Sequence, residues 1–216
     1  MMQRRRLLQG AGLSVLSATC LPAFAGAQVE EPLVDSVRTA LSAAVLNHTP
    51  PVPSFSGTEA RLAYLRWLGA MSEKLQQKKP EWSTRREFLQ TVWYESSRAG
   101  LDHALILGLI QVESNFRKFA VSLAGARGYM QVMPFWSRLI GDGDTGRLFH
   151  LQTNLRFGCV ILRHYLDTER GDLFLALGRY NGSRGKSSYP RSVLAAKQKW
   201  EMDVPPSRSE LKPANG

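Results

Sequence analysis

The chain has 216 residues, a formal charge of +10 and 44% hydrophobic residues, which suits one globular domain with extensions rather than an array of domains. Two cysteines exclude a scaffold stapled by several disulfides. The positive balance points to a polyanionic partner, a class that includes nucleic acids, anionic lipids and carboxylate-bearing polymers.

Residues 1–27 read as an export signal. Arg4-Arg5-Arg6 form a basic start, an apolar stretch runs from Leu7 to about Leu21, and two small-residue cleavage patterns follow, Ala23-Phe24-Ala25 and Ala25-Gly26-Ala27. Cleavage after Ala27 is the first choice and after Ala25 the second. Arg4-Arg5-x-Leu7-Leu8 fits a twin-arginine leader as well as an arginine-rich general one. Cys20 stands where a lipid-modified cysteine could, but Thr19 occupies the place of the small residue such a site wants. Removing the leader takes three arginines with it, lowers +10 to +7, and leaves Cys159 without a partner. No other apolar run approaches the ~20 residues that span a bilayer. The expected location is the periplasm, which argues against nucleic acid.

Residues 28–82 read as a helical extension with a proline-rich linker. Leu33, Val34, Val37, Leu41, Ala44 and Val45 return at helical steps between Pro32 and Asn47. The stretch from His48 to Gly57 holds three prolines, which fix φ and remove backbone donors. A helix over 58–79 presents Leu62, Leu65, Leu68, Met71 and Leu75, and Pro80 stops it.

The main domain is placed at residues 83–200. Thr84-x-x-Glu87 has the form of a capping box, followed by a helix burying Phe88, Leu89, Val92 and Trp93 and ending at Gly100. Asp102 caps the next helix, which runs through Ala104-Leu105-Ile106-Leu107-Gly108-Leu109-Ile110-Gln111-Val112 to Glu113. Small residues and glycines from Phe116 to Gly128 make a loop, and Met133-Pro134 opens a short helix. Residues 141–146 are a second loop. Helices are expected over 154–168, 172–180 and 191–200, and residues 201–216, with Pro205, Pro206 and Pro213, read as a disordered tail. With no run of strands and no internal repeat, the fold class is mainly α. Cys159, in an apolar helical segment, reads as a buried thiol.

Glu113 carries the chemistry. A carboxyl at the end of an apolar helix is poorly solvated, so its pKa should rise, and an acid still protonated near neutral pH can act as a general acid, as glycosidic cleavage requires. Glycosidases of the usual kind need a second carboxylate, for which Asp142 and Asp144 in the glycine-rich loop are the candidates. Neither completes a calcium loop, because Gly146 stands at the fifth position, where an oxygen ligand is needed, and Thr153 at the twelfth, where a glutamate is. His48, His103, His150 and His164 lack zinc-ligand spacing, and Gly185-Lys186-Ser187 lacks the upstream glycine of a phosphate loop. No metal and no cofactor is expected. Phe135, Trp136 and Tyr189 are candidates either for stacking on sugar rings or for the core.

Four signatures then stand in order: Glu113-Ser114, the Gly-x-x-Gly-x-Met-Gln-x-Met-Pro run at 125–134, Asn154-x-x-x-Gly158, and Tyr180-Asn181. Together they resemble the soluble lytic transglycosylases, a lysozyme-like family. The resemblance covers roughly residues 84–200, and the central run is its specific part. It implies a lysozyme-like fold and cleavage of the β-1,4 bond between N-acetylmuramic acid and N-acetylglucosamine in peptidoglycan. It also implies a single glutamate, Glu113, acting as acid then base while the substrate's own 6-hydroxyl attacks to leave a 1,6-anhydro product.

By the same match Ser122, Gln131, Met133, Tyr180 and Asn181 line the cleft. The Tyr180 hydroxyl would bond either the carboxylate or the N-acetyl group, unless the ring merely caps the core. Arg179 replaces the family's alanine before Tyr180 and could add a positive group near the cleft. Ser114 reads equally as a donor near Glu113 or as a local helix-end contact. Met130, Gly125, Gly128, Asn154 and Gly158 are assigned to structure. Peptidoglycan is the expected partner, with room for a partner in an envelope complex; a hydrolase of goose-lysozyme type and a non-catalytic peptidoglycan-binding module are the rival readings.

Overall fold

A computed structural model describes residues 54–140 and 143–202. The expected leader, the helix over 32–47, most of the linker, Asp142 and residues 203–216 lie outside the described residues. Among those described, α-helices run in the order α1 (Thr58–Leu75), α2 (Trp82–Arg98), α3 (His103–Ser114), α4 (Pro134–Ile140), α5 (Leu151–Thr168), α6 (Leu173–Tyr180) and α7 (Ser188–Trp200). A 3-10 helix over Thr145–Phe149 precedes α5, its first two residues falling in the loop expected at 141–146. No strand forms among the described residues; the loop between α3 and α4 carries only two isolated bridges, Val121 to Arg127 and Arg127 to Val132. The fold is mainly α and lysozyme-like.

Two expectations need correction. α1 buries Leu68, Met71 and Leu75 as expected, but at its start Tyr64 and Trp67 turn inward while Leu62 and Leu65 are exposed. The two aromatics, each with more apolar surface to bury than a leucine, set the rotation and stack around Trp93 and His103. α2 starts at Trp82, and its cap is Glu81, whose carboxylate accepts from the Ser83 amide at 3.3 Å. Thr84 and Glu87 therefore lie inside the first turns rather than forming a capping box. Arg85 closes the α1–α2 turn, donating to Ser72 Oγ at 2.7 Å and to the Lys79 and Pro80 carbonyls at 2.6 and 2.8 Å.

α3 is the axis of the domain. Asp102 caps it, accepting from the Leu105 amide at 2.7 Å, and every residue from Ala104 to Ile110 is buried. α7 lies against it so closely that a Cβ at Gly108 would stand 2.6 Å from the Lys197 amide nitrogen. Glycine at 108 is therefore a condition of that crossing. α2 and α5 are joined by a buried ion pair, Glu95 with Arg156 at 2.9 Å, to which Gln152 adds a hydrogen bond at 3.2 Å. Cys159 is buried on α5, and burial pushes its thiol well above its usual pKa. One continuous core runs from Tyr64 to Trp200, so α1 is built into the same core as the helices that follow.

Candidate active site

Glu113 is the penultimate residue of α3. The helix ends there because Asn115 and Phe116 both take left-handed backbone, with φ of 49° and 63°. Asparagine tolerates this conformation and a bulky aromatic does not. Phe116 is held in it by ring contacts with Phe88 at 5.9 Å and Trp200 at 5.1 Å. The chain thus turns away immediately after the carboxyl.

Glu113 is 7% exposed. Burial raises its pKa to about 8, against the opposing pull of a hydrogen bond from Tyr189. Its position at the negative end of the helix dipole disfavours the anion further. The Tyr189 hydroxyl donates to Oε1 at 2.5 Å, and burial with the neighbouring Glu113 charge holds that phenol well above its ordinary pKa, so it stays a donor. Oε2 is buried and has no hydrogen-bond partner among the described residues. With Oε1 occupied as an acceptor, the acidic proton of neutral Glu113 belongs on Oε2, the oxygen left for a substrate.

The 125–134 loop is fastened on several sides. Asn154 receives the Met130 amide at 2.8 Å and donates to the Arg127 and Leu148 carbonyls at 2.9 and 2.8 Å. The Tyr180 hydroxyl donates to the Met130 carbonyl at 2.7 Å, and Lys79 donates to the Tyr129 hydroxyl at 2.7 Å. Met130 fills the space beside Gly158, where a Cβ would stand 2.4 Å from its Sδ.

The residues expected in the cleft take mixed positions. Gln131 has φ 49°, is buried, and spends its amide donors on the Ala120 and Gly128 carbonyls at 3.1 and 2.9 Å; its amide shapes the loop. Ser122 is half-buried and accepts from the Ala126 amide at 3.1 Å. Met133 is partly buried against the core. Asn181 caps α6, is 7% exposed, and keeps a buried Oδ1 without a partner among the described residues. Tyr180 is fully buried and serves the loop backbone, so the hydroxyl found on the carboxylate is that of Tyr189. Arg179 turns from the cleft to Glu169 at 2.7 Å, and Arg184 joins it at the same distance. Ser114 makes the local contact, donating to the Ile110 carbonyl at 3.1 Å. Phe135 and Trp136 are core residues. Asp144 caps the 3-10 helix, accepting from the Gly146 amide at 2.8 Å, and faces Arg147 at 3.7 Å.

Comparison with known proteins decides the family. The model of the transglycosylase SLT domain matches residues 91–202, half of the chain and the whole of the site. The chain belongs to the SLT transglycosylase family. The membrane-bound lytic murein transglycosylase C of Mannheimia succiniciproducens is 49% identical over 49 residues, 23% of this chain and 14% of that protein. A transglycosylase of Enterobacteria phage PRD1 is 30% identical over 115 residues, 50% of this chain and 42% of the phage protein. A crystal structure of an inactive mutant of the lytic transglycosylase Slt from Pseudomonas aeruginosa aligns with TM-score 0.47 and 24% identity, covering 65% of this chain and 29% of that one. The chain therefore matches less than half the length of each of these relatives.

Within this SLT domain, sequence reasoning missed the role of Tyr189, treated there only as a ring for sugar or core. A usable signal existed. Tyr189, Val193, Ala196 and Trp200 are spaced as one helical face, and all four are buried. Gly108 in the middle of α3 marks where such a face can approach.

Proposed function

We propose that this chain is an exported peptidoglycan lytic transglycosylase. It cleaves the β-1,4 bond between N-acetylmuramic acid and N-acetylglucosamine without consuming water. Neutral Glu113 donates the Oε2 proton to the leaving glycosidic oxygen as the bond to the muramoyl anomeric carbon breaks. The resulting carboxylate takes the proton of the muramoyl 6-hydroxyl while that oxygen bonds to the anomeric carbon. The 1,6-anhydro ring closes, and Glu113 regains the proton it gave. Ser122, Met133 and Asn181 are the residues on the substrate side, Asn181 offering its unpartnered carbonyl oxygen to an acetamido N–H. Tyr180 and Gln131 shape the wall through the loop backbone.

The observation that carries the reading is the state of Glu113: buried, pushed up to about 8, anchored through one oxygen and unpartnered at the other. The same environment that keeps it an acid makes its anion a strong base in the second half of the cycle. Asp144, one of the two carboxylates considered as a partner, is already engaged at a helix cap, which counts against it as the water-activating member of a pair. Family membership supports the substrate class, and the leader read at residues 1–27 supports a periplasmic location, with an envelope-complex partner as a further proposal.

The test is digestion of purified sacculi with the wild-type chain and with Glu113→Gln, read by mass spectrometry. Fragments lighter by one water than their hydrated forms, and absent with the variant, are expected. Reducing ends would instead assign a hydrolase, and fragments undiminished in Glu113→Gln would remove Glu113 from the chemistry.

A further inference from the structure

The loop leaving α3 presents an unusual surface. Phe119, Val121 and Leu123 are 71%, 61% and 103% exposed, so the Leu123 side chain is wholly in solvent. Arg117 and Lys118 precede them and are exposed as well. Val121 pairs with Arg127 in an antiparallel bridge, which puts those two side chains on one face of the loop. Phe119 stacks on Phe149 at 5.7 Å, and the Arg127 guanidinium lies over the Phe149 ring at 5.6 Å. No Asp or Glu occurs in the sequence between Glu113 and Asp142. Three apolar side chains therefore project from a shoulder of cations with no acid in the segment itself.

We propose that the loop from Arg117 to Leu123 is a membrane-contact site, its apolar tip entering the headgroup boundary of an anionic lipid surface while the exposed Arg117 and Lys118 meet the phosphates. Charge complementarity selects this occupant. Basic side chains beside a surface of anionic lipid are attracted to it, and a small apolar tip adds the burial that fixes depth. A glycan strand is a poorer match, because sugars stack on aromatic faces while Val121 and Leu123 offer only aliphatic surface, and Phe119 already has Phe149 against its ring. The loop also carries Ser122, so docking here would hold the wall of the cleft at the lipid surface. Nothing in this depends on the chemistry at Glu113, and the Glu113→Gln protein binds equally.

The experiment takes the full chain as its cells process it, with Cys20→Ser and Leu123→Cys, and attaches a polarity-sensitive dye at position 123. Cys159 is buried and stays unlabelled. The dye reports the loop itself, whatever the leader does. Emission should shift to the blue with vesicles containing about a third phosphatidylglycerol, and stay unchanged with pure phosphatidylcholine. In co-sedimentation, Leu123→Asp should lower partitioning by about tenfold, and added salt should lower it too. Unchanged emission with anionic vesicles, or equal partitioning of Leu123→Asp, would overturn the proposal. So would emission already blue without lipid, which would put another part of the chain or a second copy on the loop. Capture by sacculi that depends on Phe119, with no vesicle binding, would assign the patch to glycan instead and equally overturn it.

Discussion

Replacing Glu113 by glutamine should stabilise the fold, by an amount that depends on pH in a defined way. The carboxyl titrates near 4.5 when solvated and at about 8 in the folded chain, burial being the largest cause. A group whose folded pKa is raised gives up stability as pH climbs from the unfolded to the folded value. Below pH 4.5 both states hold the proton and wild type and variant should differ little. Between 4.5 and 8 the unfolded chain ionises while the folded one does not, and each pH unit costs the wild type about 1.4 kcal/mol. Above 8 the difference levels off at about 5 kcal/mol, a large share of the 5–15 kcal/mol typical of a whole domain. Glutamine keeps an oxygen for the Tyr189 hydroxyl and carries no charge to desolvate, so it isolates this one effect. Urea unfolding of both proteins from pH 4 to pH 9 measures it, the midpoint gap opening through the neutral range. A gap that stays constant across that range would mean that Glu113 titrates like a solvated carboxyl, and the argument for a neutral general acid would fall with it.

Three other perturbations probe the scaffold around that acid. Tyr189→Phe removes the hydrogen bond that lowers the Glu113 pKa, so the alkaline limb of the pH–rate profile should move upward from about 8 while turnover drops by about tenfold; a profile unchanged in both respects would remove Tyr189 from the site. Asn154→Ala leaves the Met130 amide and the Leu148 carbonyl without their side-chain partner, while the Arg127 carbonyl keeps the Val132 amide. It should cost about 3 kcal/mol in denaturant unfolding, with activity falling more steeply than stability because the 125–134 loop loosens. Arg156→Met strands Glu95 in the interior, both side chains of the pair being under 5% exposed; the expected loss is about 3–5 kcal/mol, recovered in large part when Glu95→Leu is added, which a calorimetric double-mutant cycle would show.

The features that sequence could reveal are those whose cause is local. Asp102 before an apolar run gives a cap, and the cap is found; Gly100 after α2 gives a left-handed stop, with φ 63°; an acid at the end of an apolar helix implies desolvation, and Glu113 is buried and shifted upward. What escaped depends on distant partners. The buried face of α1 keeps Leu68, Met71 and Leu75 but is completed by rings that meet Trp93 and His103 in place of Leu62 and Leu65. Tyr180 and Tyr189 are nine residues apart; the face shared by Tyr189, Val193, Ala196 and Trp200 marks Tyr189 as inward-facing, but not which hydroxyl reaches the carboxyl. The choice is made by the crossing of α3 and α7, where the missing Cβ of Gly108 lets the two backbones touch beside Lys197, five residues before Glu113 and eight after Tyr189. Once the helices are pinned there, each runs about one and a half to two turns from the crossing to the residue that matters, and Tyr189 on the inward face of α7 arrives at Oε1. Tyr180, at the end of α6, instead meets the Met130 carbonyl. The acid is thus specified by its own helix, and its anchor by a glycine whose meaning appears only when the opposing helix is in place.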